Sequence, residues 1–407
     1  MISFALEEDQ QIIQETVRSF ARDVIRPHYR AWERARGVPA EARQRFHELG
    51  LGLLDVPEAL GGAGAGVVTA AMVHEELAWG DPGAAVALWA PHTAAAVLCE
   101  MGDAAQVGPL LARLAEAPDR LGAVAYSERK GPLAGFGTVA ERRGDAWVLR
   151  GHKAFVVNGG RAELTVVFAQ IEPGRGWDGV GVFVVPAGTP GLREGARHEL
   201  LGLETVPVSE VVFEDCVVPE ALRLRGGDDL AASFARWLGR VSLMTAARQV
   251  GLSRASYEYA LEYTQERKAF GKPVAHFQSI AFALADMLMD VEAARWMVWR
   301  AAASYDRGPS SPPDLGLVAA AAVHANEAAW RVADQGVQLL GGAGYIQDYP
   351  AEKWLRDTKA LALLGPGDQQ AQLQLAQLTL GTATPGQAQP EALDTVWPSL
   401  ALQPLVS

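Results

Sequence analysis

The chain has 407 residues, 49% of them hydrophobic and 21% charged, with a formal net charge of −12. That length and apolar share can bury a core large enough for two or three structural units, and they exclude global disorder. The acidic balance excludes a sequence-independent nucleic-acid binder, which needs a basic face; local arginines and lysines can still hold an anionic ligand.

The N-terminus, MISFALEEDQQIIQETVRSFARDVI, is acidic and amphipathic, unlike a signal peptide. No segment reaches the roughly 18 uninterrupted apolar residues of a membrane span, so no membrane partner is expected and cytoplasm is the expected location. Ile13, Val17, Phe20 and Val24 recur at helical spacing. Helical texture fills 1–120, broken by the glycine-rich run LGLGLLDVPEALGGAGAG at 49–66. From 121 to 226 short β-branched and aromatic runs take over: Trp147-Val148-Leu149, Phe155-Val156-Val157, Thr165–Phe168, Val182–Val185 and Val211–Phe213. Close Gly, Asn, Asp and Pro residues mark these as short strands, and Gly144-Asp145 as a hairpin turn. Helical periodicity returns over 227–381, where Leu284, Met287, Leu288, Val291, Ala294 and Val298 form one apolar face. Gly308–Pro313 reads as a loop, and 382–407 as a Pro/Gln-rich tail. Cys99 and Cys216 stand far apart and outside any metal-ligand spacing, so the reading favours buried thiols in a reducing compartment and no metal site.

Several segments carry a resemblance to one family. DQGVQLLGGAGYIQDYPAEKWLRDTK at 334–359 resembles the C-terminal signature of the acyl-CoA dehydrogenase flavoproteins. YTQERKAFGKP at 263–273, followed by Phe277-Gln278, resembles their flavin-binding segment. The resemblance spans nearly the whole chain up to about 381. It implies an α+β fold: an N-terminal helical domain, a β-barrel-like middle domain and a C-terminal four-helix bundle.

The resemblance also implies FAD as cofactor. Arg267 would meet the pyrophosphate, for which a bidentate guanidinium is suited. Phe270 and Gln278 would lie beside the cofactor. Gln338, Gly341 and Gly342 would touch the adenine end from a second subunit, making the protein a homodimer or homotetramer. Each of these segments can also be read locally as an ordinary helix C-terminus, where Gly and basic residues are common. Tyr126 and Ser127, in AYSE, and Phe155 and Val157, in KAFVVN, would line the flavin ring, with Val157 replacing the usual threonine. Gln369 completes the cofactor set. Arg129 and Lys130 follow where the family's serine-bearing loop contacts CoA, and read more simply as solvated charges.

The family's catalytic base is missing. Removing a thioester α-proton needs a carboxylate held against the α-carbon. The position that usually supplies it is Gly365, and a smaller branch uses a position that aligns with Val241. Asp368 is the closest carboxylate after Gly365 in sequence, and the candidate base. Gly365 keeps the backbone N–H that would polarise the thioester carbonyl. Three readings stay open: an acyl-thioester dehydrogenase with an unconventional base, a flavin-dependent monooxygenase relative, or a non-catalytic FAD- or acyl-CoA-binding scaffold. The first two would exchange electrons with an electron-transfer flavoprotein or a flavin reductase, respectively.

Overall fold

The computed structural model describes residues 6–129, 136–173, 175–225, 229–308 and 311–364, with 371–372, 375–376 and 378–379 beyond them. The N-terminal third is helical. Helix α1 (Glu8–Phe20) opens on a reciprocal Glu7–Gln10 capping box and runs into a π-helical turn at Ala21–Ile25. The expected stripe is present: Val17, Phe20 and Val24 are buried and Ile13 packs against them. Helices α2 (Tyr29–Ala35) and α3 (Ala40–Glu48) follow, and the glycine-rich run makes two short 3-10 turns. Helices α4 (Val67–Gly80), α5 (Pro82–Met101) and α6 (Ala104–Ala115) complete the unit. Asp81 caps α5 by accepting from Ala84 N, with Pro82 in the first turn, where its missing N–H costs nothing. Among the described residues no single helix is long and apolar enough to cross a membrane; α5 passes only as two segments bent by 47°.

The middle third is one curled sheet: β1 (Gly122–Ala125), β2 (Val139–Arg143), β3 (Ala146–Val157), β4 (Leu164–Gln170), β5 (Val180–Pro186), β6 (Leu192–Arg197) and β7 (Val208–Pro219). The order is β1-β4-β2-β3-β7-β6, with β5 also on β4, and β1 runs parallel to β4. The Gly144-Asp145 turn joins β2 to β3 with Arg143 opposite Ala146, as expected. The runs at 147–149 and 155–157, read as separate strands, belong to a single 12-residue strand. Residues of β4 alternate between two cores. Leu164, Val166 and Phe168 face Phe234 and Trp237 and the N-terminal helices, whereas Val167 and Ala169 join Phe183 and Phe213 inside the curl. Both faces are covered, which explains why these strands read as unbroken apolar runs.

Helix α7 (Leu230–Glu266) then spans 37 residues and is followed by the hairpin β8 (Lys268–Ala269) and β9 (Lys272–Pro273). Helices α8 (Gln278–Tyr305), α9 (Leu315–Leu340) and α10 (Ala351–Leu361) finish the bundle. On α8 the expected apolar face is buried except at Leu288, which is exposed. Helix–sheet–helix is the α+β order anticipated for the chain. Gly365, Asp368, Gln369, Lys130 and the tail at 382–407 lie outside the described residues.

One buried cluster ties the three parts together. Lys353 Nζ, on α10, donates to Asp81 Oδ1 of the α4–α5 junction and to Asp357 Oδ2, both at 2.5 Å. Asp357 Oδ1 in turn accepts from Leu203 N, midway along the loop between β6 and β7, at 2.7 Å. Gly202 makes this docking possible, since a Cβ there would sit 2.5 Å from the Arg356 carbonyl. Burial disfavours the Lys353 ammonium, but the two carboxylates outweigh it and hold the lysine charged. Burial likewise raises the Asp357 carboxyl. Lys353→Met would leave two carboxylates buried without a cation. The expected loss is about 3–5 kcal/mol, read as a lower denaturant midpoint at neutral pH. The deficit should shrink as pH falls and the orphaned carboxylates take up protons.

Candidate active site

The site begins with an irregularity in β3. Lys153 pairs with Val211 and Val156 with Ser209, so β3 spends three steps where β7 spends two. This is a β-bulge, and Phe155 sits in it at φ +53, a left-handed conformation that a bulky residue rarely adopts. The bulge turns the Phe155 ring outward, 56% exposed and stacked on His198 at 4.6 Å. Strain of this kind persists only where the surroundings fix it. Here Ala154 N donates to Ser127 O at 2.8 Å, and Lys153 Nζ donates to Glu128 Oε1 at 2.7 Å. Glu128 also accepts from Gly137 N and Thr138 N. Burial pulls Lys153 down to about 8 against the pull of Glu128, while burial of Glu128 is outweighed by Lys153 together with the two backbone N–H donors, which hold its carboxyl low. Tyr126-Ser127-Glu128 is thereby riveted to the bulge. Asn158, at φ +58, is buried and anchors the end of β3 through Nδ2 to Gly122 O.

Two cavities meet at this point. A larger one of about 380 Å³ is lined by Ser127, Leu200, Leu203, Val208, Lys359 and Leu363. A narrower one of about 90 Å³ runs between α5 and α7, past Val157, Trp237, Val241, Thr245 and Arg248. Tyr126, Phe155 and Leu364 line both. Four of the expected cofactor residues, Tyr126, Ser127, Phe155 and Val157, therefore converge. Val241 also lies in the wall, and none of the described residues lining either cavity is Asp or Glu.

The other expected cofactor residues lie elsewhere. Arg267 caps the far end of α7, 30 residues after Trp237, or about 45 Å along the helix axis. The chain there does not merely stop a helix, since 268–273 form a hairpin whose two turn residues, Phe270 and Gly271, both have positive φ. Phe270 is 96% exposed. The Arg267 guanidinium is exposed and has no hydrogen-bond or ion-pair partner among the described residues. Gln278 opens α8, exposed. Gln338 is exposed near the end of α9, its carbonyl accepting from Gly341 N, and a Cβ at Gly341 or Gly342 would meet open space. Arg129, read as a solvated charge, is exposed but paired with Glu210.

Sequence reading missed Trp237, Thr245, Arg248 and Leu364. The first three share a face of α7 with Val241 at near-helical spacing, a pattern that was available. Their facing partners on β3 and α5 were not.

Residues present fit FAD: an apolar cavity floored by an outward aromatic ring, an uncommitted guanidinium and two open glycines. The fold and this site are those of a flavin-dependent oxidoreductase. The N-terminal, middle and C-terminal domains of acyl-CoA dehydrogenases match residues 7–117, 123–216 and 234–379. The chain is 34% identical over 359 residues to cyclohex-1-ene-1-carbonyl-CoA dehydrogenase of Syntrophus aciditrophicus, covering 87% of this chain and 86% of that protein. It superposes on butyryl-CoA dehydrogenase from Megasphaera elsdenii with TM-score 0.86 and 29% identity, over 93% of this chain and all of that one. An FAD complex of PigA matches with TM-score 0.86 and 25% identity, over 93% of this chain and 99% of that one. The chain belongs to the acyl-CoA dehydrogenase family, FAD-dependent oxidoreductases that act on acyl-CoA. Of the three readings left open by the sequence, these findings support the acyl-CoA dehydrogenase-like oxidoreductase.

If Arg267 carries the pyrophosphate, Arg267→Ala removes a charge-assisted bond worth about 1.5–3 kcal/mol. FAD affinity, measured by flavin fluorescence on reconstitution, should fall roughly 10- to 150-fold. Stability of the flavin-free protein should not change, because the side chain is exposed and unpaired. Undiminished retention of FAD would remove Arg267 from the site.

Proposed function

We propose that this protein desaturates an acyl thioester with Asp368 as the base that takes the α-proton. The observation that carries the reading is the cavity pair: both cavities meet at Phe155, and their described walls contain no carboxylate. A base must then come from outside those walls. Asp368 follows Leu364, which lines both cavities, by four residues, a chain reach of at most about 14 Å. FAD, when bound, supplies the two-electron acceptor for the β-hydrogen. The chain's own residues do the rest. Ser127 and the pinned Tyr126-Ser127-Glu128 backbone orient the flavin edge, Phe155 offers a flat apolar face, and Val157, Trp237 and Val241 keep water from the acyl group. The backbone N–H of Gly365 would polarise the thioester carbonyl.

The separation of the two sets of cofactor residues supports a homo-oligomer, dimer or tetramer. About 45 Å of α7 divides Phe155's neighbour Trp237 from Arg267, so a second copy would bring Arg267, Phe270, Gln338, Gly341 and Gly342 to the first copy's flavin. Exposure of Phe270 and Tyr345, at 96% and 84%, fits surfaces that a partner covers. Electrons would leave to an electron-transfer flavoprotein.

The test is turnover of an acyl-CoA with an artificial electron acceptor. Asp368→Asn should lower the rate about 100- to 10,000-fold with FAD content intact. Gly365→Glu, restoring a carboxylate at the usual position, should raise the rate and make it insensitive to Asp368→Asn. A fully active Asp368→Asn protein would remove Asp368 as the base.

A further inference from the structure

Arg248 stands out among the buried charges. Its neighbours on and around α7 are all paired: Arg240 with Asp55, Arg254 with Glu75 and Glu76, and Arg295 with Glu75. Arg248 is 6% exposed, and among the described residues it has no hydrogen-bond or ion-pair partner; its Nε is wholly buried and unsatisfied. A titratable neighbour that feels its charge, His74, supplies no compensating anion. His74 is fully buried with neither ring nitrogen bonded, and burial first, then Arg248, holds it neutral. Burial alone draws Arg248 down to about 9. A guanidinium left without an anion in a low-dielectric site is costly, and the cost is recovered when an anion arrives.

The place where an anion could arrive is the narrow cavity, which Arg248 lines together with Tyr126, Phe155, Trp237 and Val241. Arg248 follows Val241 by seven residues, two turns along the same face of α7, about 10 Å deeper or shallower along the axis. The cavity, at about 90 Å³, has room for roughly six to nine water-sized atoms. A long hydrocarbon tail does not fit that space, and a purely apolar one would leave the guanidinium unpaired. A short chain ending in a carboxylate meets both demands, since the fork of the guanidinium binds a carboxylate bidentately.

We propose that Arg248 is a specificity residue that receives the distal carboxylate of a short ω-carboxyacyl thioester. The proposal rests on the acyl-thioester reading above and names the substrate class of the same site. It is tested by titrating the FAD-loaded protein with glutaryl-CoA and with pentanoyl-CoA, its uncharged counterpart of equal chain length, following the flavin spectrum. Wild type should bind glutaryl-CoA at least about 30-fold more tightly, the scale expected for truncating one partner of a buried charge pair. Arg248→Gln should abolish that preference and leave pentanoyl-CoA within a few-fold of wild type, while Arg248→Lys should keep part of it. Equal affinities in wild type, a preference for pentanoyl-CoA, or a parallel loss of both ligands in Arg248→Gln would overturn the proposal. If neither thioester perturbs the flavin, the acyl-thioester reading itself fails, and glutarate then decides the anion site alone. A glutarate-dependent rise in melting temperature in wild type and not in Arg248→Gln upholds it; no difference between the two overturns it.

Discussion

The buried Lys353 ammonium is the constraint on which the arrangement of the molecule depends. It is fully buried, so it can exist charged only because Asp81 and Asp357 close on it from different parts of the chain. Asp81 simultaneously caps α5, and Asp357 simultaneously holds the backbone of Leu203. The N-terminal helices, the sheet and the C-terminal bundle are thus fixed against one another by three side chains. The narrow cavity lies between α5 on one side, β1 and β3 on another, and α7 on the third, and the larger one is walled in part by Leu203, which this contact holds, and by Lys359 and Ala360 of α10.

The same logic operates at shorter range around the site. Lys153 is as deeply buried as Lys353 and is held by Glu128, which pins the strand edge that presents Tyr126 and Ser127. That rivet permits Phe155 to hold a left-handed backbone and an outward ring in the middle of a strand. Buried charge in this protein is therefore a positioning device wherever a carboxylate answers it. Arg248 is the buried cation in the cavity wall that no described carboxylate answers, which turns the same device toward a ligand.

Much of the architecture was legible in the sequence because it rests on local periodicity. Val17, Phe20 and Val24 mark their helix without reference to anything distant, and β4 and β5 read as strands because both faces bury β-branched residues. The Gly144-Asp145 turn is a two-residue signal of the same local kind. What was not legible depends on pairing across the fold. Runs at 147–149 and 155–157 look like two strands, since the register shift that lets one strand pass through Phe155 is set by β7 and not by β3. Leu288 fits the apolar pattern of α8 and yet faces outward, as periodicity cannot say where a neighbouring helix stops. Arg248, among small and apolar residues in TAARQVG, carries no local sign that its surroundings lack an anion. The residues matching the family's motifs divide into two groups at opposite ends of α7, a fact invisible until the helix has a length.

A pocket with no carboxylate in its described walls can desaturate an acyl thioester only if a base reaches it from outside them. Anaerobic addition of acyl-CoAs, glutaryl-CoA among them, to the FAD-loaded protein, with no other reductant present, tests most directly whether one does. Bleaching of the flavin's visible absorbance by at least one thioester is expected, since a proton can leave only if a base reaches the α-carbon. Perturbation of the flavin spectrum by bound thioester, with no bleaching across the series, would contradict that expectation.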